Sequence, residues 1–147
     1  MAAFEAVPNK GRRIRRFPLK AAETYVEGAP VLLDSNGEII EAGADPATIL
    51  GFAASDAVLT ELDPDPGFKL VYVAYPDSTF MMDGTDKTPV ATDVGESRDL
   101  DVDGGIGTVA TTVAATRLRI EDIYIQGAGP TGFYEVSILA ANRQFQI

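Results

Sequence analysis

Cysteine, histidine and tryptophan do not occur in this chain of 147 residues. Without thiols there is no disulfide and no thiolate nucleophile. Without imidazole the Ser–His–Asp and Cys–His constellations are excluded. The common structural zinc sites, built from Cys and His, go with them. The lack of Cys leaves the redox compartment open. Long apolar runs are also missing: none approaches the ~20 residues of a spanning helix, and no membrane partner is expected. The basic residues between positions 10 and 20 lead into Glu23 and Glu27 and not into an apolar stretch. No signal peptide is therefore expected, and the chain reads as made and folded in a cytosol.

What is present suits one globular domain. Hydrophobic residues make up 46% and charged residues 23%, ordinary values for a folded protein. A chain of this length buries roughly 68–70% of its unfolded surface, enough for a core without metal or crosslinks.

Charge is spread unevenly. Residues 1–20 hold Lys10, Arg12, Arg13, Arg15, Arg16 and Lys20 against Glu5 alone, a net +5. The other 127 residues carry six cations and 21 acids, a net −15. The pattern predicts an extended basic arm, residues 1–20, on an acidic β-rich body, residues 21–147. Pro8, Gly11 and Pro18 discourage a helix in the arm. Three readings of it compete. One is a solvated tail. Another is a tether for nucleic acid, which a body at −15 would oppose by repelling the same polyanion. The favoured one is docking onto a neighbouring protein, since Ile14, Phe17 and Leu19 place apolar anchors among the arginines. On that reading nucleic acid is not a partner, and removing residues 1–20 leaves a folded body that no longer grips its target.

The body reads as strands. Asp34-Ser35-Asn36-Gly37 divides two short apolar runs and predicts a hairpin, Asn-Gly being the strongest short signal for one. Further strands are expected over 48–54, 68–75, 79–82, 106–116, 118–126 and 133–140, rich in β-branched and aromatic residues. Asp56 is placed to cap a short helix over 55–62. About eight short strands separated by Gly, Pro and Asp indicate an all-β fold, a small β-barrel or a sandwich.

Candidate chemistry is sparse. Asp99, Asp101 and Asp103, followed by Gly104, match the first half of a calcium loop. Position 12 is then Ala110 where a bidentate Glu belongs. Strand alternation instead sets the three carboxylates on one solvated face with Leu100 and Val102 inward. They are weak metal candidates, and no cofactor is expected. Asp63 and Asp65 read as turn carboxylates. Gly104-Gly105-Ile106-Gly107 lacks the strand and helix of a phosphate loop, and the glycines of 127–132 read as a turn. Tyr72, Tyr75, Phe68 and Phe80 read as core aromatics. No nucleophile meets a base, and no enzyme is expected.

One stretch, residues 27–54, is similar to a known family. It runs through Gly28-Ala29-Pro30-Val31, the Asp34–Gly37 turn, Ile39-Ile40, a loop rich in Ala, Gly and Asp, and Ile49-Leu50-Gly51-Phe52-Ala53. This resembles the decoration, or cement, proteins that stud the capsid exterior of tailed bacteriophages. The resemblance implies a small β domain of β-tulip type, a homotrimer at capsid symmetry axes, and the major capsid protein as partner. It implies location on the outer surface of the virion after synthesis in the bacterial host cytoplasm. Joined to the charge pattern, it makes Arg12, Arg13, Ile14, Arg15, Arg16, Phe17 and Leu19 the expected capsid contacts. Two other classes stay open: a carbohydrate- or cell-surface-binding β-sandwich module, and a phage tail subunit.

Overall fold

A computed structural model describes residues 7–10, 13–57, 67–84, 88–125 and 132–145. Twelve strands follow in chain order: β1 Val7–Lys10, β2 Ile14–Pro18, β3 Pro30–Leu33, β4 Ile39–Glu41, β5 Gly51–Ala53, β6 Phe68–Val73, β7 Thr79–Met82, β8 Ser97–Arg98, β9 Leu100–Asp103, β10 Ile106–Val109, β11 Leu118–Ile125 and β12 Gly132–Ile138. The described helical content is two single 3-10 turns, Ala91–Asp93 and Ala140–Asn142. The all-β expectation holds, with more and shorter strands than anticipated.

Two five-stranded antiparallel sheets carry the fold. One has the order β1-β7-β12-β11-β8 and the other β2-β6-β5-β3-β4, while β9 and β10 form a separate hairpin. Both faces of the second sheet are used. Phe52 lies opposite Tyr72, and on that face it packs with Phe80, Met82, Leu118, Ile120 and Val136 of the first sheet. The Phe52 and Phe80 ring centroids are 4.8 Å apart. Val31, Gly51 and Val73 align on the other face, where Val31 and Val73 join Phe17, Tyr25, Ile39 and Leu50 in a second core. Period-2 alternation with apolar residues on both sides gives strands buried on both faces. Gly51 has to be glycine: a Cβ there would lie 1.9 Å from the Tyr72 carbonyl oxygen.

Beyond β2, Leu19 bridges to Ile39, and the Lys20 N–H donates to the Ile39 carbonyl at 3.3 Å. The two margins of the second sheet thus meet at one corner. No closed barrel is found among the described residues.

The 34–37 turn forms as expected, in a longer loop than a two-residue Asn-Gly turn. Asp34 Oδ1 accepts from the N–H groups of Asn36 (2.9 Å) and Glu38 (3.0 Å), and Gly37 takes φ +76°. The carboxylate therefore organises the turn and only the glycine enters the left-handed region. The strand expected over 106–116 stops at Val109, because Asp99 captures the following loop. At Asp56 no helix starts: its Oδ1 accepts from the Glu27 N–H at 2.7 Å, and Ala57 bridges to Tyr25. The rest of that expected helix, 58–62, lies outside the described residues.

The segment read as an arm differs most. β1 pairs with β7 of the first sheet, and β2 pairs over five residues with β6 of the second. Residue 20 is therefore not a boundary between tail and body in the strand pairing. A truncation through residue 20 would remove two strands and strip Phe17 from the second core, a loss that argues against an intact body after truncation.

Candidate docking surface

Strand β2 is the outermost strand of its sheet, and its register with β6 decides where each arginine goes. Arg15 lies opposite Val71 and Phe17 opposite Lys69 on the face of the second core. Ile14, Arg16 and Pro18 lie opposite Tyr72, Leu70 and Phe68 on the other face. Each arginine rests on an aromatic ring. The Arg13 guanidinium carbon sits 4.6 Å from the Tyr75 centroid, Arg16 4.7 Å from Phe68, and Arg15 5.3 and 5.4 Å from Phe17 and Phe145. Cation–π contact at these distances contributes ~0.5–1 kcal/mol at exposed sites. Arg13 is also paired, its two terminal nitrogens donating to the two Asp77 oxygens at 3.2 Å each. Arg15 donates to the Tyr75 hydroxyl at 3.4 Å.

Large apolar groups stand open on the Arg16 face: Ile14 is 42%, Phe68 43% and Leu70 45% exposed. The surface thus combines arginine, aromatic and aliphatic groups, a composition that suits protein contact. Phe145, which completes it, carried no signal in the sequence. Gln144 places it by bonding both main-chain groups of Leu33, accepting from N–H at 2.8 Å and donating to the carbonyl at 2.9 Å.

The expected contact residues divide. Arg13, Ile14, Arg15 and Arg16 are exposed. Phe17 is not an anchor for a partner, because only 7% of it is exposed and it fills the chain's own second core. Leu19 packs against the same core. Arg12 lies outside the described residues, as do Asp63, Asp65 and residues 127–131.

The aspartate run does not present three carboxylates to solvent. Asp99 is 4% exposed. Its oxygens accept from the Thr112 hydroxyl and from the N–H groups of Ala114 (3.2 Å) and Ala115 (2.8 Å). Burial raises its pKa, but these bonds and the Arg117 charge outweigh burial and hold it below the usual carboxylate value. Leu100 is buried as expected, whereas Val102 is only partly so. Asp101 turns back to accept from the Val102 N–H at 2.8 Å. Across an open cavity of about 320 Å³, Asp45 accepts from the Leu100 N–H at 2.9 Å. Burial, with Asp99 and Asp101 nearby, raises the Asp45 pKa. Among the described residues no group of three acidic side chains is placed to hold a metal ion.

The remaining aromatics are distributed between core and surface. Phe80 is fully buried, Tyr72 and Tyr75 pack partly buried against the two cores, and Phe68 is the exposed seat of Arg16. Arg98 forms a buried ion pair with Asp93 at 3.3 Å, and Asp93 also accepts from the Tyr134 hydroxyl at 3.1 Å. Burial and the Asp93 carboxylate push the Tyr134 pKa up. These groups lock the 3-10 turn at Ala91–Asp93 to β12 and form no open site.

Compared with family profiles, curated proteins and solved structures, the chain matches none.

Proposed function

We propose that this protein decorates the exterior of a tailed-phage capsid, bridging adjacent capsomers and stabilising the head against internal pressure. The observation that carries the reading is the β2–β6 edge ribbon, with Arg16 beside exposed Ile14, Phe68 and Leu70 on one face and Arg15 on the other, on a chain whose net charge is −10. An acidic protein with one cationic, apolar edge suits attachment to another protein and disfavours polyanions. The residues that resemble decoration proteins, 27–54, supply β3, β4 and β5, three of the five strands of the sheet that β2 borders.

The physics of such a role is linkage. A ligand that binds the intact lattice and not separated capsomers stabilises the lattice by mass action. A homotrimer carrying three such edges gains through effective concentration what each contact lacks alone. The partner on this reading is the major capsid protein.

Immunogold labelling of the native virion with antibodies to this chain tests the proposal. Label over the head surface, lost together with head resistance to heat when the gene is deleted, supports it. Label on the tail would assign the chain to a tail subunit, and absence from the particle would end the reading.

A further inference from the structure

The arginines of this chain are mostly engaged by its own oxygens. Arg13 is bidentate to Asp77, Arg98 meets Asp93 and Glu96, Arg119 reaches Glu121, Arg117 bonds the main-chain carbonyls of Pro46 and Asp45, and Arg143 bonds that of Ile138. Arg15 differs. In a chain with 22 acids it forms no ion pair among the described residues. Its one hydrogen bond goes to a phenol, the Tyr75 hydroxyl.

Its position is nevertheless fixed. The guanidinium lies against Phe17 and Phe145, and the Tyr75 ring is 6.4 Å from that of Phe145. Phe17 is core and Phe145 is held by Gln144, so the rings are anchored independently of Arg15. Stacking on a ring leaves the in-plane N–H donors of a guanidinium at its rim. Five are available and the phenol engages one nitrogen. A held, incompletely used fork loses less entropy on binding than a free side chain.

We propose that Arg15 is the anchor of a docking surface for a carboxylate-bearing segment of a partner protein. A single charge argues for a carboxylate over phosphate. Asp77 neutralises Arg13, so the site offers Arg15 one net positive charge, matched by a planar monoanion bound bidentately. Tyr75 and Phe145, on the Arg15 side of the ribbon, give the flanking apolar contact. The inference deepens the capsid reading and rests on it only for the identity of the partner as a coat subunit.

The test is a titration of the full-length protein followed by side-chain 1H–15N spectra of its arginines. The probes are a blocked Val-Glu-Val tripeptide, its Val-Gln-Val counterpart and inorganic phosphate. The Arg15 Nε–H signal is expected to move saturably with the acidic peptide and at least fivefold less readily with the other two. Arg15→Gln removes the binding. Arg15→Lys weakens it by about tenfold, because a point charge replaces the planar fork. Arg119→Gln, on β11 of the other sheet, changes it by less than twofold. An Arg15 signal that ignores the acidic peptide overturns the proposal, and this readout needs no variant. Equal response to the Gln peptide also overturns it, and tighter binding of phosphate reassigns the anchor to a phosphate-bearing ligand and overturns it too. Acid-peptide binding in a protein that never labels virions upholds the anchor and defeats the capsid reading. Labelled heads with a silent Arg15 do the reverse.

Discussion

Replacing Asp99 by Asn tests whether the aspartate run is a structural clasp. The substitution keeps the shape of the side chain and exchanges one oxygen for NH2. In the parent, one carboxylate receives three donors: the Thr112 hydroxyl and the N–H groups of Ala114 and Ala115. An amide oxygen can keep the Ala115 bond. The NH2 then faces the Ala114 N–H, donor against donor. Losing one or two bonds to a charged group, at ~1.5–3 kcal/mol each, gives an expected cost of about 2–4 kcal/mol. A domain near this size loses ~2–4 °C in Tm per kcal/mol, so a fall of roughly 4–16 °C is expected at pH 7. Amide exchange at Ala114 and Ala115 should accelerate more than in β12. The sign with pH is fixed by the depressed pKa. The stabilisation is fully present above the unfolded carboxylate value of ~3.9 and is lost as pH falls through the lower folded value. The gap between parent and Asp99→Asn should therefore close in acid. Asp103→Asn, at an exposed position, is the control and should move Tm by under ~2 °C. A thermal scan that finds Asp99→Asn indistinguishable from that control at pH 7 would refute the clasp.

Four further outcomes are expected. Gly51→Ala should abolish soluble folded protein, since the added Cβ would enter the Tyr72 carbonyl and part β5 from β6; a cooperative melt near the parent Tm would contradict this. Tyr25 is 5% exposed and its hydroxyl has no partner among the described residues, so Tyr25→Phe should leave stability unchanged or raise it by up to ~1–3 kcal/mol of relieved desolvation; a loss of several degrees in Tm would mean that the hydroxyl is bonded. Asp45→Asn should raise Tm at pH 7. The Asp45 pKa is raised in the fold, so the ionised form is penalised there, and stability is lost as pH rises from the unfolded to the folded value. Asn tolerates the φ of +46° found at Asp45, and the gain should vanish near pH 4. Deleting residues 1–20 should lower Tm sharply or prevent folding, as far-ultraviolet circular dichroism during a melt will show; an intact melt would mean that β1 and β2 contribute little.

The parts of this fold readable from sequence are those set by neighbours along the chain. The 34–37 turn was visible because Asp34, Asn36 and Gly37 act within four residues of one another. β6 and β12 were visible because their β-branched and aromatic residues make continuous runs. The fate of residues 7–18 was not, because their partners are β7 and β6, fifty or more positions away. Composition also misled there. Arg15 shares a face with Phe17 and Val71, so the side that borders the second core carries a cation, and the alternation looks solvated on both sides. Long charged side chains can cover apolar surface while keeping the charge outside, and here the guanidinium does so over Phe17 and Phe145. At Asp99 the alternation rule failed for another reason. The residue sits between β8 and β9, and the loop after β10 folds back onto it, a contact set by tertiary structure.

The division of β1 and β2 between different sheets has a consequence for biosynthesis. Strands β1 and β2 leave the ribosome before their hydrogen-bonding mates and stay without them until residues 68–82 have been made. During that interval a basic, partly apolar ribbon waits unpaired while the acidic remainder is still being translated. Native closure is thus postponed until β6 and β7 emerge, and mutations that weaken either should reduce the yield of folded product by leaving β1 and β2 without a place to dock.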